Sequence, residues 1–241
     1  MMLRQPAWRG LFAFMGILVG LAWAGPAGAV MSPRVRLAPL MRGIVATWPG
    51  LNALDPGVGA NTFIVVNVAR QQLYLFKHGA RVATWPVSTS RYGTGERRGS
   101  FRTPLGLFMI ARKVGAGLPE FAVLNRHGPV GWTATPVFAS DDPAASRIIT
   151  ARILMLEGLE PGWNAGGNVD TYARHIYIHG TANLGQLGEP ASEGCVQMAP
   201  GAMITLFRAV HRGTLVLILQ NFSASPAIPG EHTPLLASRL G

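Results

Sequence analysis

Residues 62–76 read TFIVVNVARQQLYLF. Two runs rich in β-branched and aromatic residues flank Ala69–Arg70, a pattern that predicts a β-hairpin. Further runs of the same character follow. RVATWPVST, after a turn at His78–Gly79, predicts a third strand, and GLFMIARKV, after Thr103–Pro104, a fourth. HIYIHG is short and alternating: Ile176 and Ile178 face one way, His175, Tyr177 and His179 the other. GTLVLILQ is continuously apolar, as expected of a strand buried on both faces. One stretch has a different period. In GAMITLFRAV, Met203, Phe207 and Val210 recur at helical spacing, which predicts a short helix after Pro200. LEPGWNAGGNV is too rich in glycine for a regular element and is expected to be a loop near a site. The fold class is therefore mainly β with short helices.

The chain has 241 residues, 49% of them hydrophobic and 13% charged. It is long enough to bury a core without staples. At the start, Arg4 and Arg9 precede the apolar run LFAFMGILVGLAWA, and AGA follows at Ala27–Ala29. That order is expected of a secretory signal, residues 1–29, cut near Ala29; the alternative is an uncleaved anchor. The run is shorter than the roughly 20 apolar residues of a spanning helix. Residues 30–60, punctuated by Pro33, Pro39, Pro49 and Pro56, read as a linker or N-terminal extension. Residues 61–220 hold the main domain, and 221–241 form a Pro-containing tail.

The formal net charge is +10. Loss of residues 1–29 removes two arginines and no acid, leaving +8. A basic surface favours anionic partners such as nucleic acid, acidic lipid or acidic wall polymer. Export and the absence of any nucleic-acid motif argue against the first. Membrane contact is expected only through an uncleaved signal segment. Composition leaves the oligomeric state open.

Cys195 is the only cysteine, so it forms no intramolecular disulfide. A thiol attacks as thiolate, and at an ordinary pKa of about 8.5 it needs a base or a positive environment. Six histidines are available. His78 and His127 precede turn glycines, His211 lies near a helix end and His232 in the tail. His175 and His179 share a strand face, and His179 stands at the strand end beside Gly180. On chemistry alone two readings stay open. Cys195 and His179 are a nucleophile and its base, or Cys195 is a buried inert residue and His179 is bonded to backbone.

HIYIHGT followed by SEGC, with Ser192 thirteen positions after His179, resembles the signature of L,D-transpeptidases of the YkuD type. VSTSRYGTGERRGSFRTPLGLFMIARKVGAGLPE and RILMLEGLEPGWNAGGNVDTYARHIYIHGT are similar to further family segments, so the resemblance covers roughly residues 60–220. It implies a β-sandwich-like catalytic domain with its site under a flap, acting on peptidoglycan stem peptides in the periplasm, without metal or organic cofactor. It implies Cys195 as nucleophile, His179 as proton acceptor and donor, and the Gly180 carbonyl as the group orienting His179. Gly194 and Cys195 would supply backbone N–H groups to an oxyanion. Ser192 would bond the loop or the substrate, and Tyr177 would line the substrate channel or pack locally. The implied reaction releases D-Ala from a tetrapeptide stem, forms a thioester and passes the acyl group to an amine, giving a 3-3 cross-link. Two alternatives are a carboxypeptidase or trimming hydrolase with the same site, and a non-catalytic wall-binding module.

The chain departs from the family pattern at two positions beside the thiol. Glu193 stands where His or Lys is common, and a carboxylate there would raise the thiol pKa. Gln197 stands where most members have arginine and cannot make a charge-assisted bidentate contact with a carboxylate. Arg174, Arg126 and Arg102 are the candidates to supply that charge.

Overall fold

The computed structural model describes residues 62–78, 80–138 and 144–221. The readings of residues 1–29 as a signal, of 30–60 as a linker and of the tail beyond 221 lie outside the described residues. The predicted hairpin is present: β1 (Thr62–Asn67) pairs antiparallel with β2 (Gln72–Lys77) through a turn at 68–71. Next come β3 (Ala80–Ser88), β4 (Gly106–Val114), β5 (Ala122–Asn125), β6 (Gly128–Thr133) and β7 (Ile149–Gly158). Then follow β8 (Tyr177–Thr181), β9 (Val196–Met198), α1 (Pro200–Ala209) and β10 (Leu215–Leu219).

The ten strands are ordered β4-β10-β1-β2-β3-β9-β8-β7-β5-β6. β7 also pairs with β4, so the order returns on itself. A sheet that folds back in this way buries one face throughout. Ile64, Val66, Leu73, Phe108, Leu154, Ile178, Val196 and Val216 form one buried apolar cluster on that face. Met203, Leu206 and Phe207 of α1 join it, at the helical spacing read from the sequence. Pro200 opens α1 at a position where its missing N–H costs nothing. β10 lies between β1 and β4, which accounts for its apolar run without alternation.

Two features differ from the sequence reading. β7 is a long central strand that shows no period, because nearly every residue from Thr150 to Leu156 is buried whichever face it is on. The β5–β6 hairpin is built from mostly exposed residues around Pro129 and carries no apolar alternation.

β8 and β9 pair in parallel, with Ile178 opposite Val196 and His179 opposite Gln197. Parallel neighbours need a crossover of a dozen or more residues. Residues 182–195 are that crossover, which gives the spacing between HGT and SEGC its structural meaning. Ile178, Val196 and Met198 are fully buried on one side of the pair, so their neighbours His179, Cys195 and Gln197 face the other. Truncating Ile178 to Ala would leave a cavity costing about 2–5 kcal/mol and would loosen the pair that sets this register.

Candidate active site

His179 is 3% exposed and is the central residue of β8, not its end as the sequence suggested. Its Nδ1 lies 2.8 Å from the Gly180 carbonyl oxygen. A carbonyl only accepts, so Nδ1 carries the proton and Nε2 is the basic nitrogen. Burial pushes the imidazole pKa down to about 4, opposed by the bond to Gly180. The ring is therefore neutral at pH 7.

Cys195 stands just before β9 and is partly exposed. Its thiol donates to the His175 carbonyl at 3.4 Å. Burial pushes its pKa up to about 11, against the lowering effects of the Tyr177 backbone N–H and the Arg174 charge. At rest the thiol and the imidazole are thus both neutral.

The cysteine loop is strapped to residues 88–103. Thr103 Oγ1 donates to the Gly194 carbonyl at 3.0 Å, Ser192 N–H to the Thr89 carbonyl at 2.9 Å, and Arg91 N–H to the Ser192 carbonyl at 3.0 Å. Ser90 in turn bonds Thr103 and the Phe101 carbonyl. Ser88, Ser90 and Thr103 are each at most 2% exposed and hold the loop without touching the sulfur. Sequence reasoning passed over them, since nothing but their place in the fold separates them from ordinary turn residues. Gly194 adopts φ +120°, and a Cβ there would lie 3.1 Å from Ile176 and 3.4 Å from the Arg102 carbonyl. Only glycine fits both constraints. Phe101 (φ 56°) and His175 (φ 59°), both beside the loop, also lie in the left-handed region, as strained residues at functional sites often do.

The structure also places the other residues named from the sequence, and it corrects some of those readings. His175 is not on the β8 face; its left-handed backbone ends the alternation, and its ring is exposed. Ser192 is 1% exposed, and its hydroxyl donates to the Cys195 carbonyl at 2.6 Å, so it ties the loop and does not face a substrate. The Gly194 N–H donates to Ser192 Oγ at 3.2 Å, which leaves the Cys195 N–H as the remaining expected oxyanion donor. Tyr177 is 5% exposed and packs with Val114, Leu124, Ile153 and Met155. Burial raises its phenol to about 12, so it is a neutral packing residue. Glu193 pairs with Arg147 at 2.9 Å, and the charge that acts on the thiol is that of Arg174. The glycine-rich loop touches this region through Asn168, whose carbonyl accepts from the Arg98 N–H at 2.8 Å.

Of the three arginines proposed to supply charge, Arg126 bonds the exposed rings of His127 (3.0 Å) and His175 (2.8 Å), linking the β5–β6 turn to the rim of the site. Arg102 is exposed. Arg174 lines a cleft of about 250 Å³ together with Glu193 and Ile176. Gln197 is 3% exposed and is bonded elsewhere, to the Ser146 carbonyl. Among the described residues no group of three His, Cys, Asp or Glu could hold a metal ion.

A family model for the L,D-transpeptidase catalytic domain (YkuD) matches residues 61–218. No curated protein matches the chain. Solved structures of similar backbone include the Ldtfm–avibactam carbamoyl enzyme, at 18% identity over 68% of this chain and 50% of that one, TM-score 0.40. Another is an L,D-transpeptidase from Mycobacterium smegmatis, at 16% identity over 67% of this chain and 59% of that one, TM-score 0.40. A third is L,D-transpeptidase 3 from Mycobacterium tuberculosis with a faropenem-derived adduct, at 16% identity over 65% and 59%, TM-score 0.40. The chain spans between half and three fifths of the length of these structures.

Proposed function

Because the chain belongs to the L,D-transpeptidase family with a YkuD-type catalytic domain, we propose that Cys195 is the nucleophile of an acyl transfer on peptidoglycan stem peptides. The observation that carries this reading is the fixed tautomer of His179, held by Gly180 on the strand next to the thiol. The donor is a tetrapeptide stem ending in a diaminopimelate–D-Ala bond. Cys195 sulfur attacks the diaminopimelate carbonyl carbon while His179 Nε2 takes the thiol proton. The Cys195 N–H donates to the oxyanion that forms. The C–N bond to D-Ala then breaks, and His179 returns the proton to the leaving amine, which leaves a thioester. An acceptor amine attacks that thioester, His179 takes the amine proton and passes it to the departing sulfur, and the free thiol is restored. With diaminopimelate as acceptor the product is a 3-3 cross-link. The substrate implies an extracytoplasmic site of action, which for a chain with this N-terminal sequence is the periplasm.

Incubation of the purified protein with disaccharide-tetrapeptides, followed by separation of the products, tests the reading. Dimers together with free D-Ala are expected, and Cys195→Ala should release none. Tripeptide without dimers would assign the same site to hydrolysis. D-Ala release by a folded Cys195→Ala variant would remove the nucleophile assignment. A carbapenem adduct on Cys195 is also expected; its absence from the folded protein would favour a wall-binding module without catalysis.

A further inference from the structure

The cleft beside Cys195 holds two arginines, Arg98 and Arg174, and one carboxylate, Glu193, and the Glu96 charge also acts on Arg174. It is lined by Arg98, Phe101, Arg174, Ile176 and Glu193 among others and encloses about 250 Å³. It adjoins the nucleophile through the chain, since Glu193 leads through Gly194 to Cys195, and Ile176 approaches the place where a Gly194 Cβ would be. The guanidinium of Arg174 is held by one nitrogen: Nη2 donates to the Arg102 carbonyl at 2.7 Å. Its Nη1 is buried and has no hydrogen-bond partner in the protein. A buried donor without an acceptor costs about 1–3 kcal/mol and calls for an explanation. Neither neighbouring acid supplies the acceptor. Glu193 is paired with Arg147 at 2.9 Å, and Glu96 accepts from the Leu105 N–H at 3.3 Å. The Arg98 side chain is exposed and makes no ion pair among the described residues. Meanwhile the position two residues after the cysteine is neutral and directed to Ser146.

We propose that this cleft is a carboxylate-binding subsite for the acyl donor, with Arg174 as its principal ligand and Arg98 at its rim. The assignment rests on the reading of Cys195 as the nucleophile. The Arg102 carbonyl fixes the guanidinium plane through Nη2, and a fixed planar guanidinium suits a carboxylate better than a mobile ammonium would. The subsite determines specificity: it favours donors whose reacting carbonyl lies within a few atoms of a free carboxylate.

The test compares alkylation of Cys195 by iodoacetate, which carries a carboxylate, with alkylation by neutral iodoacetamide. Each rate is divided by that of a free thiol under the same conditions. Both reagents meet the same thiolate, so their ratio cancels the influence of Arg174 on the thiol pKa. In the full chain the normalised iodoacetate-to-iodoacetamide ratio is expected to exceed one by about tenfold, the value of one lost charge-assisted contact of 1.4 kcal/mol. Arg174→Gln should bring it to near one, Arg174→Lys to an intermediate value, and Arg98→Gln to a smaller loss. A ratio near one in the unaltered protein, or an unchanged ratio in folded Arg174→Gln, overturns the proposal. Should Arg174→Gln not fold, an unchanged ratio in both Arg174→Lys and Arg98→Gln overturns it equally. The readout is independent of the muropeptide assay. A high ratio with no D-Ala release would keep the subsite and reject the substrate; D-Ala release with a ratio of one would do the reverse.

Discussion

Gln197 donates its side-chain N–H to the backbone carbonyl of Ser146 at 2.5 Å, in a site where the glutamine is 3% exposed. Ser146 is itself joined to Asn183, whose Nδ2 donates to its hydroxyl at 2.9 Å. The residue two positions after Cys195 therefore fastens the segment at 144–148 to β9. Gln197→Met keeps the length and removes the amide. It should lower unfolding free energy by about 1–3 kcal/mol, because a buried carbonyl loses its donor. Urea denaturation measures this. A substrate-contacting Gln197 would instead show a changed KM at unchanged stability.

The protonation state of the thiol can be read directly. With Cys195 raised to about 11 and His179 lowered to about 4, no thiolate–imidazolium pair exists between these values. Alkylation by iodoacetamide should rise steadily from neutral pH and level only above about pH 11. Near pH 8 it should run on the order of 100-fold slower than that of a free thiol with pKa about 8.5. A plateau between about pH 5 and pH 8 would show an ion pair and contradict the neutral resting state.

His179 also makes stability depend on pH. Its folded pKa of about 4 lies below the ordinary 6.5. Below pH 6.5 the unfolded chain takes up a proton that the folded chain refuses, so stability falls as pH drops toward 4. The single-site linkage is about 2.5 kcal/mol at pH 4.5. His179→Gln should lose less stability than the unaltered protein between about pH 7 and about pH 4.5, by that difference. Equal losses in the two proteins, measured by urea denaturation at both pH values, would mean that the ring is not held neutral by burial.

Pattern alone exposed β1 to β4, the short β8, the apolar β10 and the helix with its Pro200 start. It did not expose β7, because burial on both faces erases the period of two, and a buried Arg152 bonded to the Leu118 carbonyl breaks the apolar run. Cys195 and His179 were linked in the sequence only through the family resemblance, and the distance between them is long enough for the parallel β8–β9 crossover. For Ser192 and Tyr177 the sequence offered two roles each and did not decide between them. Whether a hydroxyl meets a substrate or its own loop depends on contacts between segments a hundred residues apart, such as Ser88 with Glu189. The cleft at Arg174 could not be seen at all, since it joins the 98–101 loop to residues 173–176.

Gly180 both packs against Thr150 and holds the His179 ring through its carbonyl. It faces Thr150 of β7 in register, and a Cβ on it would lie 2.6 Å from the Thr150 carbonyl oxygen and 3.0 Å from its Oγ1. Backbone at that distance cannot yield as a flexible side chain would. Gly180→Ala should therefore push β8 away from β7 and cost about 1–3 kcal/mol. The same movement displaces the carbonyl that fixes Nδ1–H of His179, so the basic nitrogen is no longer held at Nε2. D-Ala release should fall in kcat by roughly tenfold or more, the scale of a general-base contribution, with KM little altered. A variant that loses stability but keeps its kcat would reduce Gly180 to a packing position and leave the tautomer of His179 to be set by some other group.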